Sequence, residues 1–138
     1  MATITLRWIE KKLMVATDSN GHSIVIGRSP DPEHEWAGVK PSELLLMAVA
    51  SCSAYDVVEI LTKQREPFTD LKVLCSGDQL SKPPYTFTKI HVHYQLYGNV
   101  KPEKLEKAIR LSQEKYCSVI STLRPGVSIT SDYQVISG

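Results

Sequence analysis

Cysteine is scarce in this chain, and its pattern argues against two common uses. The 138 residues include three cysteines, Cys52, Cys75 and Cys117. Their number is odd and their spacing wide, which speaks against a secreted disulfide framework and against a cysteine-rich zinc site. Free thiols of this kind suit a reducing compartment, so a cytoplasmic protein is expected. Charge of one sign is lacking too: 16 Lys and Arg against 15 Asp and Glu leave a net charge of +1. Without a basic excess, neither nucleic acid nor an anionic membrane surface is an expected partner. Residues Met1–Thr5 lack the basic start of a signal peptide and the apolar stretch that comes after it. The apolar run Leu44–Ala50 is too short to span a bilayer. No internal repeat or low-complexity tract stands out. What remains is 42% hydrophobic and 22% charged, ordinary values that suit a single domain, residues 1–138.

Alternation marks the strands. Ile4, Leu6 and Trp8 share one face of an opening strand, and Thr3, Thr5 and Arg7 share the other. Glu10, Lys11 and Lys12 form a tight connection to a second strand, Leu13–Thr17. Asp18–Gly21 is a turn signal, and Ser23–Ile26 completes a three-stranded meander. Residues 27–40 read as a loop, broken by Gly27, Pro30, Pro32 and Gly38. Its Trp36 either plugs the core or belongs to a segment that covers something. Pro41 fits the first turn of a helix, and Glu43 favours the positive end of its dipole. No Pro or Gly occurs from Ser42 to Glu66, so one long helix is expected there. Its Leu44–Ala50 part is apolar on every side, which implies a helix surrounded by protein.

Strands return with Leu71, Val73 and Cys75 on one face. After a break at Pro83 and Pro84 comes the cleanest alternation in the chain. Ile90, Val92, Tyr94 and Leu96 oppose Lys89, His91, His93 and Gln95. Pro102 starts a second helix, with Leu105, Ala108, Ile109 and Ser112 on its inner stripe. A short helical piece covers Cys117–Leu123. A last strand carries Val127, Ile129, Ser131, Tyr133 and Val135 on one face. The expected order is β-β-β-α-β-β-α-β, an α+β fold.

The candidate chemistry lies in two thiols. Cys52 sits in the long helix and Cys117 just after the second one. Such a pair can work as attacker and resolver, or can be two small buried side chains. Cys52 is mid-helix, where neither end of the dipole acts on it, and burial disfavours a thiolate. If it attacks, a cation or a hydrogen-bond donor must come from elsewhere. Asp56 and Glu59 lie on the Cys52 face of the helix. Asp56 suits an acid that orients such a cation, while Glu59 reads as part of a wetter stretch. Glu43 is nine residues from Cys52, roughly 13 Å along the helix, so it reaches a Cys52 only across a two-fold axis. It is otherwise a favourable first-turn charge. Cys75 reads as packing. His91 and His93 share a strand face but have no third ligand at suggestive spacing, so no metal is expected there. His22 and His34 carry no signal.

The segment Lys40–Cys52, continued by Tyr55–Leu61, resembles the central helix of the OsmC/Ohr family of osmotically induced and organic-hydroperoxide-resistance proteins. Residues Pro83–Ile90 and Lys115–Val119 resemble that family's later strand and second-cysteine region. The resemblance implies curved antiparallel sheets packed on two long helices in an interwoven homodimer, with sites at the interface. It implies a thiol peroxidase with no cofactor and no metal. Cys52 matches the peroxidatic residue and Cys117 the resolving one; the partners would be a hydroperoxide and a dithiol reductant. In that family an arginine of the first hairpin and a glutamate opening the central helix assist the sulfur. Here the hairpin carries Glu10, Lys11 and Lys12, and Ser42 stands at the glutamate's place, with Glu43 one residue later. Arg28 is the first substitute for the cation, then Lys11, Lys12 and Arg7. Glu43 of a partner chain or Asp56 would orient it. The rival expectation is a redox-sensing or small-molecule-binding member with little turnover. A cysteine-dependent acyl transferase ranks last, because no histidine falls in a catalytic-base motif.

Overall fold

A computed structural model describes residues 1–29 and 36–137. Pro30, Pro32 and His34 lie outside the described residues. The chain divides into two compact units, Met1–Leu45 and Leu46–Gly138.

The first unit is an antiparallel meander of β1 (Thr5–Glu10), β2 (Leu13–Thr17) and β3 (Ser23–Gly27). Lys11, at φ +48°, makes the first reversal, and its carbonyl accepts the Trp8 indole N–H at 2.7 Å. The second reversal is held by Asp18, whose Oδ1 accepts the backbone N–H groups of Asn20 and His22, both at 2.8 Å. Those two backbone bonds, with the His22 ring, hold the Asp18 carboxyl below its ordinary value. At Gly27 the backbone is left-handed, φ +104°, and a Cβ would run into the Lys12 carbonyl, so only glycine fits. Val39 forms a parallel bridge to Ile26. Among the described residues of this unit Ile26 is the buried hydrophobic; Leu6, Trp8 and Ile24 are exposed. The meander therefore presents apolar surface that it does not itself cover.

Helix α1 (Pro41–Lys63) begins in the first unit and runs on into the second. At 23 residues it is long and apolar enough to cross a membrane by length and composition. The shortness of the Leu44–Ala50 run therefore does not decide that matter. Packing speaks instead. Val49, Ser53, Val57 and Leu61, four residues apart on one stripe, are buried in the second unit. The opposite face is not covered as the all-round apolar pattern suggested: Met47 and Tyr55 are exposed by 51% and 73%.

The rest of the second unit comprises β4 (Phe68–Gln79), β5 (Phe87–Gly98), α2 (Pro102–Leu111), α3 (Ser118–Leu123) and β6 (Ser128–Ile136). A π-helical turn, Ser112–Tyr116, joins α2 to α3. β5 is the middle strand, and Ile90, Val92, Tyr94 and Leu96 are all fully buried on one face. The core completes with Leu105, Ala108 and Ile109 of α2, and Ile120 of α3. The sheet is not wholly antiparallel. β4 pairs antiparallel with β5, but β6 runs parallel to it, with Lys89 opposite Ser128 and Tyr97 opposite Ile136. α2, the π-turn and α3 form the crossover between β5 and β6, which lets the chain return in the same direction.

Candidate functional site

The second unit brings Cys52 and Cys117 together. Their sulfurs and a carboxylate oxygen of Asp56 all lie within 4.8 Å of one another. Cys52 and Asp56 are one helical turn apart on α1, hence on the same face. Cys117 is set by the π-turn. Its backbone N–H reaches the Ser112 carbonyl at 2.7 Å, five residues back. The next residues then start α3, and the Cys117 sulfur caps that helix by accepting the Ile120 N–H at 3.4 Å. A π-turn inserts one residue into a helical path and re-aims the residues after it, and such turns recur at functional sites.

Cys117 is 2% exposed, and its thiol is pushed up to about 11. Burial is the main cause, and the nearby Cys52 sulfur adds to it. Burial thus favours the neutral thiol form of Cys117. Cys52 is partly exposed. An open cleft of about 380 Å³ lies beside it, lined by Ala48, Ser51, Tyr55, Asp56 and Val119. Cys75 stands apart on β4, opposite Val92 and half-buried against the core, where burial raises its thiol.

Behind the pair runs a buried polar chain that the sequence did not reveal. Ser112 Oγ lies 2.8 Å from Asp56 Oδ2 and 3.1 Å from Ser53 Oγ. Ser53 in turn bonds the Tyr94 hydroxyl, which accepts from Gln113 Nε2 at 3.2 Å. A hydroxyl has one proton, and a carboxylate oxygen is the stronger acceptor, so Ser112 donates to Asp56. The order is then fixed head to tail: Gln113 to Tyr94, Tyr94 to Ser53, Ser53 to Ser112, Ser112 to Asp56. Burial, first of several causes, also raises the Tyr94 phenol. Ser53 and Ser112 are fully buried, and only a buried polar partner explains serine at those positions. That was the available signal: small polar residues on otherwise apolar stripes.

The other site residues read from the sequence fall elsewhere or take other partners. Asp56 was expected to orient a cation; its hydrogen bond is to Ser112 and its carboxylate lies against the sulfurs. Glu59 pairs with Lys63 at 3.1 Å on the exposed side of α1. Arg28 belongs to the first unit, with its guanidinium 4.6 Å from the Trp36 ring centre; Lys40 lies 5.1 Å from the same ring. Trp36 is thus a cation platform at 37% exposure and not a core plug. Glu43 is an exposed first-turn acid of α1, and Arg7 is an exposed residue of β1.

His91 and His93 do have a shared third group. Asp132 Oδ1 is 2.8 Å from His91 Nε2 and 2.7 Å from His93 Nδ1, and His91 Nδ1 is 2.7 Å from Thr130. Hydrogen bonds from His93 and His91 hold the Asp132 carboxyl below its ordinary value. The parallel register of β5 and β6 makes this clasp, which ties the two strands on the face away from the core.

Comparison with known proteins decides the family. The model for OsmC-like proteins matches residues 32–132. The chain belongs to the OsmC-like family. It is 35% identical over 134 residues to Protein YhfA of Escherichia coli K12, covering 96% of both chains. A hypothetical protein of Aquifex aeolicus shares this OsmC-like fold with a TM-score of 0.88 at 30% identity, covering 100% of this chain and 98% of the other. The organic hydroperoxide resistance protein OhrB of Bacillus subtilis shares the fold at a TM-score of 0.63 and 16% identity, with 97% and 98% covered.

The Cys117 thiol also couples stability to pH. In an unfolded chain it ionises near the ordinary value of 9.0, but in the fold only near about 11. A folded value above the unfolded one gives stability that is whole below about pH 9 and is lost as pH rises towards 11. Reduced protein is expected to lose on the order of 2 kcal/mol across that window from this group. Cys75 and Tyr94 add losses of the same sign. Urea midpoints measured against pH check this: the Cys117→Ser variant should fall less steeply than wild type.

Proposed function

We propose that this OsmC-like protein is a cysteine-based thiol peroxidase. Cys52 thiolate attacks the O–O bond of a hydroperoxide; the distal oxygen stays on sulfur as sulfenic acid, and the alkoxide takes a proton and leaves as alcohol. The Cys117 thiol then condenses with the sulfenic acid, losing water and forming the Cys52–Cys117 disulfide. A dithiol reduces that bond by exchange and is itself oxidised to a disulfide. The observation that carries this reading is the pairing of the two sulfurs within 4.8 Å, with Cys117 buried and Cys52 beside the open cleft. The apolar side of the cleft at Ala48, Tyr55 and Val119 suits the carbon chain of an organic hydroperoxide. Arg28 and the partner's Glu43 remain candidate activators of Cys52 in a homodimer with shared sites, the two units forming one OsmC-like domain. A reducing compartment, the cytoplasm, suits the chemistry.

One observation favours a second reading, a redox-sensing or binding protein with little turnover. The group at the sulfurs is the Asp56 carboxylate, and a negative charge there opposes a thiolate. Hydroperoxide consumption coupled to oxidation of a dithiol separates the two. The peroxidase turns over many equivalents per chain, faster with a bulky organic hydroperoxide than with hydrogen peroxide. Consumption that stops at one equivalent per chain leaves the sensor.

A further inference from the structure

The mutual placement of two thiols and a carboxylate has a second chemical use. We propose that the reduced Cys52–Asp56–Cys117 cluster binds one thiophilic divalent cation, of the zinc or cadmium class, and that forming the disulfide closes this site. Such binding is separate from peroxidase activity and does not depend on turnover.

Four features carry it. The three donor atoms come from different turns of the chain, yet all lie within 4.8 Å of one another. A tetrahedral zinc with Zn–S of about 2.3 Å and Zn–O of about 2.1 Å needs S···S near 3.8 Å and S···O near 3.6 Å. The cluster therefore has to close by no more than about 1.2 Å, within reach of small side-chain rotations. The donors are also oriented before any cation arrives. Ser112 holds Asp56 Oδ2, leaving the other oxygen available, and the Ile120 N–H fixes the Cys117 sulfur. Metal ligands held from behind in this way are the usual arrangement. Third, the cleft beside Cys52 leaves room for a fourth ligand, a water or a small anion. Fourth, the two thiolates and the carboxylate carry three negative charges against the cation's two. Neutralising them offsets the mutual repulsion that a bare cluster of this kind would suffer.

Binding requires both thiols to ionise, so each cation taken up displaces two protons. Oxidation of the pair removes both sulfur ligands at once, leaving one carboxylate, which does not hold a soft cation. The His91–His93–Asp132 clasp is the competing cluster. There one carboxylate oxygen already accepts from both rings, and the three residues are partly exposed.

The test uses full-length reduced protein, freed of metal by a chelator and titrated with Cd²⁺ while the thiolate-to-metal ultraviolet band and proton release are monitored. The expected result is one Cd²⁺ and about two protons per chain. The band should be absent in Cys52→Ser and in wild type whose Cys52–Cys117 disulfide has been formed beforehand with diamide and verified by thiol count, which needs no substitution and so no question of folding. Ser112→Ala, which loosens Asp56 without removing a ligand, should weaken binding about 10- to 100-fold. Cys75→Ser and His93→Asn should bind as wild type does. The proposal is overturned by a full band in oxidised protein, by loss of binding in His93→Asn or Cys75→Ser, or by unchanged affinity in Ser112→Ala. Peroxide consumption, measured on the same preparations, reports separately on the peroxidase reading.

Discussion

Replacing Cys52 by serine is expected to abolish hydroperoxide consumption, by at least ~100-fold, because a serine hydroxyl at neutral pH is a far weaker nucleophile than a thiolate. Cys117→Ser should behave differently. Its Cys52 still attacks, but the sulfenic acid has no neighbouring thiol to meet and persists long enough to be captured by a 1,3-diketone. Dithiol-coupled turnover then falls, while the first equivalent of peroxide is still consumed. Cys75→Ser should retain both steps, since Cys75 lies on β4 opposite Val92, outside the cluster. The asymmetry rests on access: Cys117 is buried, whereas Cys52 is partly exposed beside the open cleft. If Cys117→Ser stopped the first equivalent as completely as Cys52→Ser, the two roles would have to be exchanged.

A glutamate on the uncovered face of α1 is expected to break the homodimer that the family resemblance implies. Met47, Tyr55 and Val58 are 51%, 73% and 39% exposed, and they lie along the helix opposite the buried stripe. Leu6, Trp8 and Ile24 add uncovered apolar surface on the meander of the first unit. A three-stranded sheet with so little of its apolar surface buried is poorly stable alone, and a second copy is the occupant the family resemblance implies. Wild type is therefore expected to sediment as a dimer at micromolar concentration. Tyr55→Glu or Met47→Glu should each weaken the dimer by on the order of 2 kcal/mol or more per substituted side chain, roughly 30-fold for each. A wild-type monomer under the same conditions would contradict the shared-site picture and leave Glu43 as a helix-end charge.

Several elements were legible because their side-chain period was. The alternation of Ile90, Val92, Tyr94 and Leu96 marks β5 and its buried face directly. The stretch without Pro or Gly marks α1, and Pro102 marks the start of α2. Direction is different. A strand has the same two-residue period whichever way it runs, so nothing in Ile129, Ser131 and Tyr133 reveals that β6 is parallel to β5. The Asp132 clasp on His91 and His93 depends on that register and was missed with it. Ser112 was placed on the inner stripe of the second helix, but its bond to Asp56 spans 56 positions along the chain and leaves no local trace. The meeting of Cys52 with Cys117 was open on spacing, which allowed a redox pair or two buried side chains; the family resemblance favoured the pair. The uncovered face of α1 looked buried in sequence because an apolar pattern is the same whether its cover comes from the chain itself or from another copy.

The central claim is that Cys52 and Cys117 form one redox pair. Peptide mapping after a single equivalent of organic hydroperoxide, with remaining thiols alkylated, tests it most directly. The expected result is two thiols lost per chain, a Cys52–Cys117 disulfide-linked peptide and an alkylated Cys75. A disulfide that contains Cys75, or all three thiols still alkylated, would contradict it.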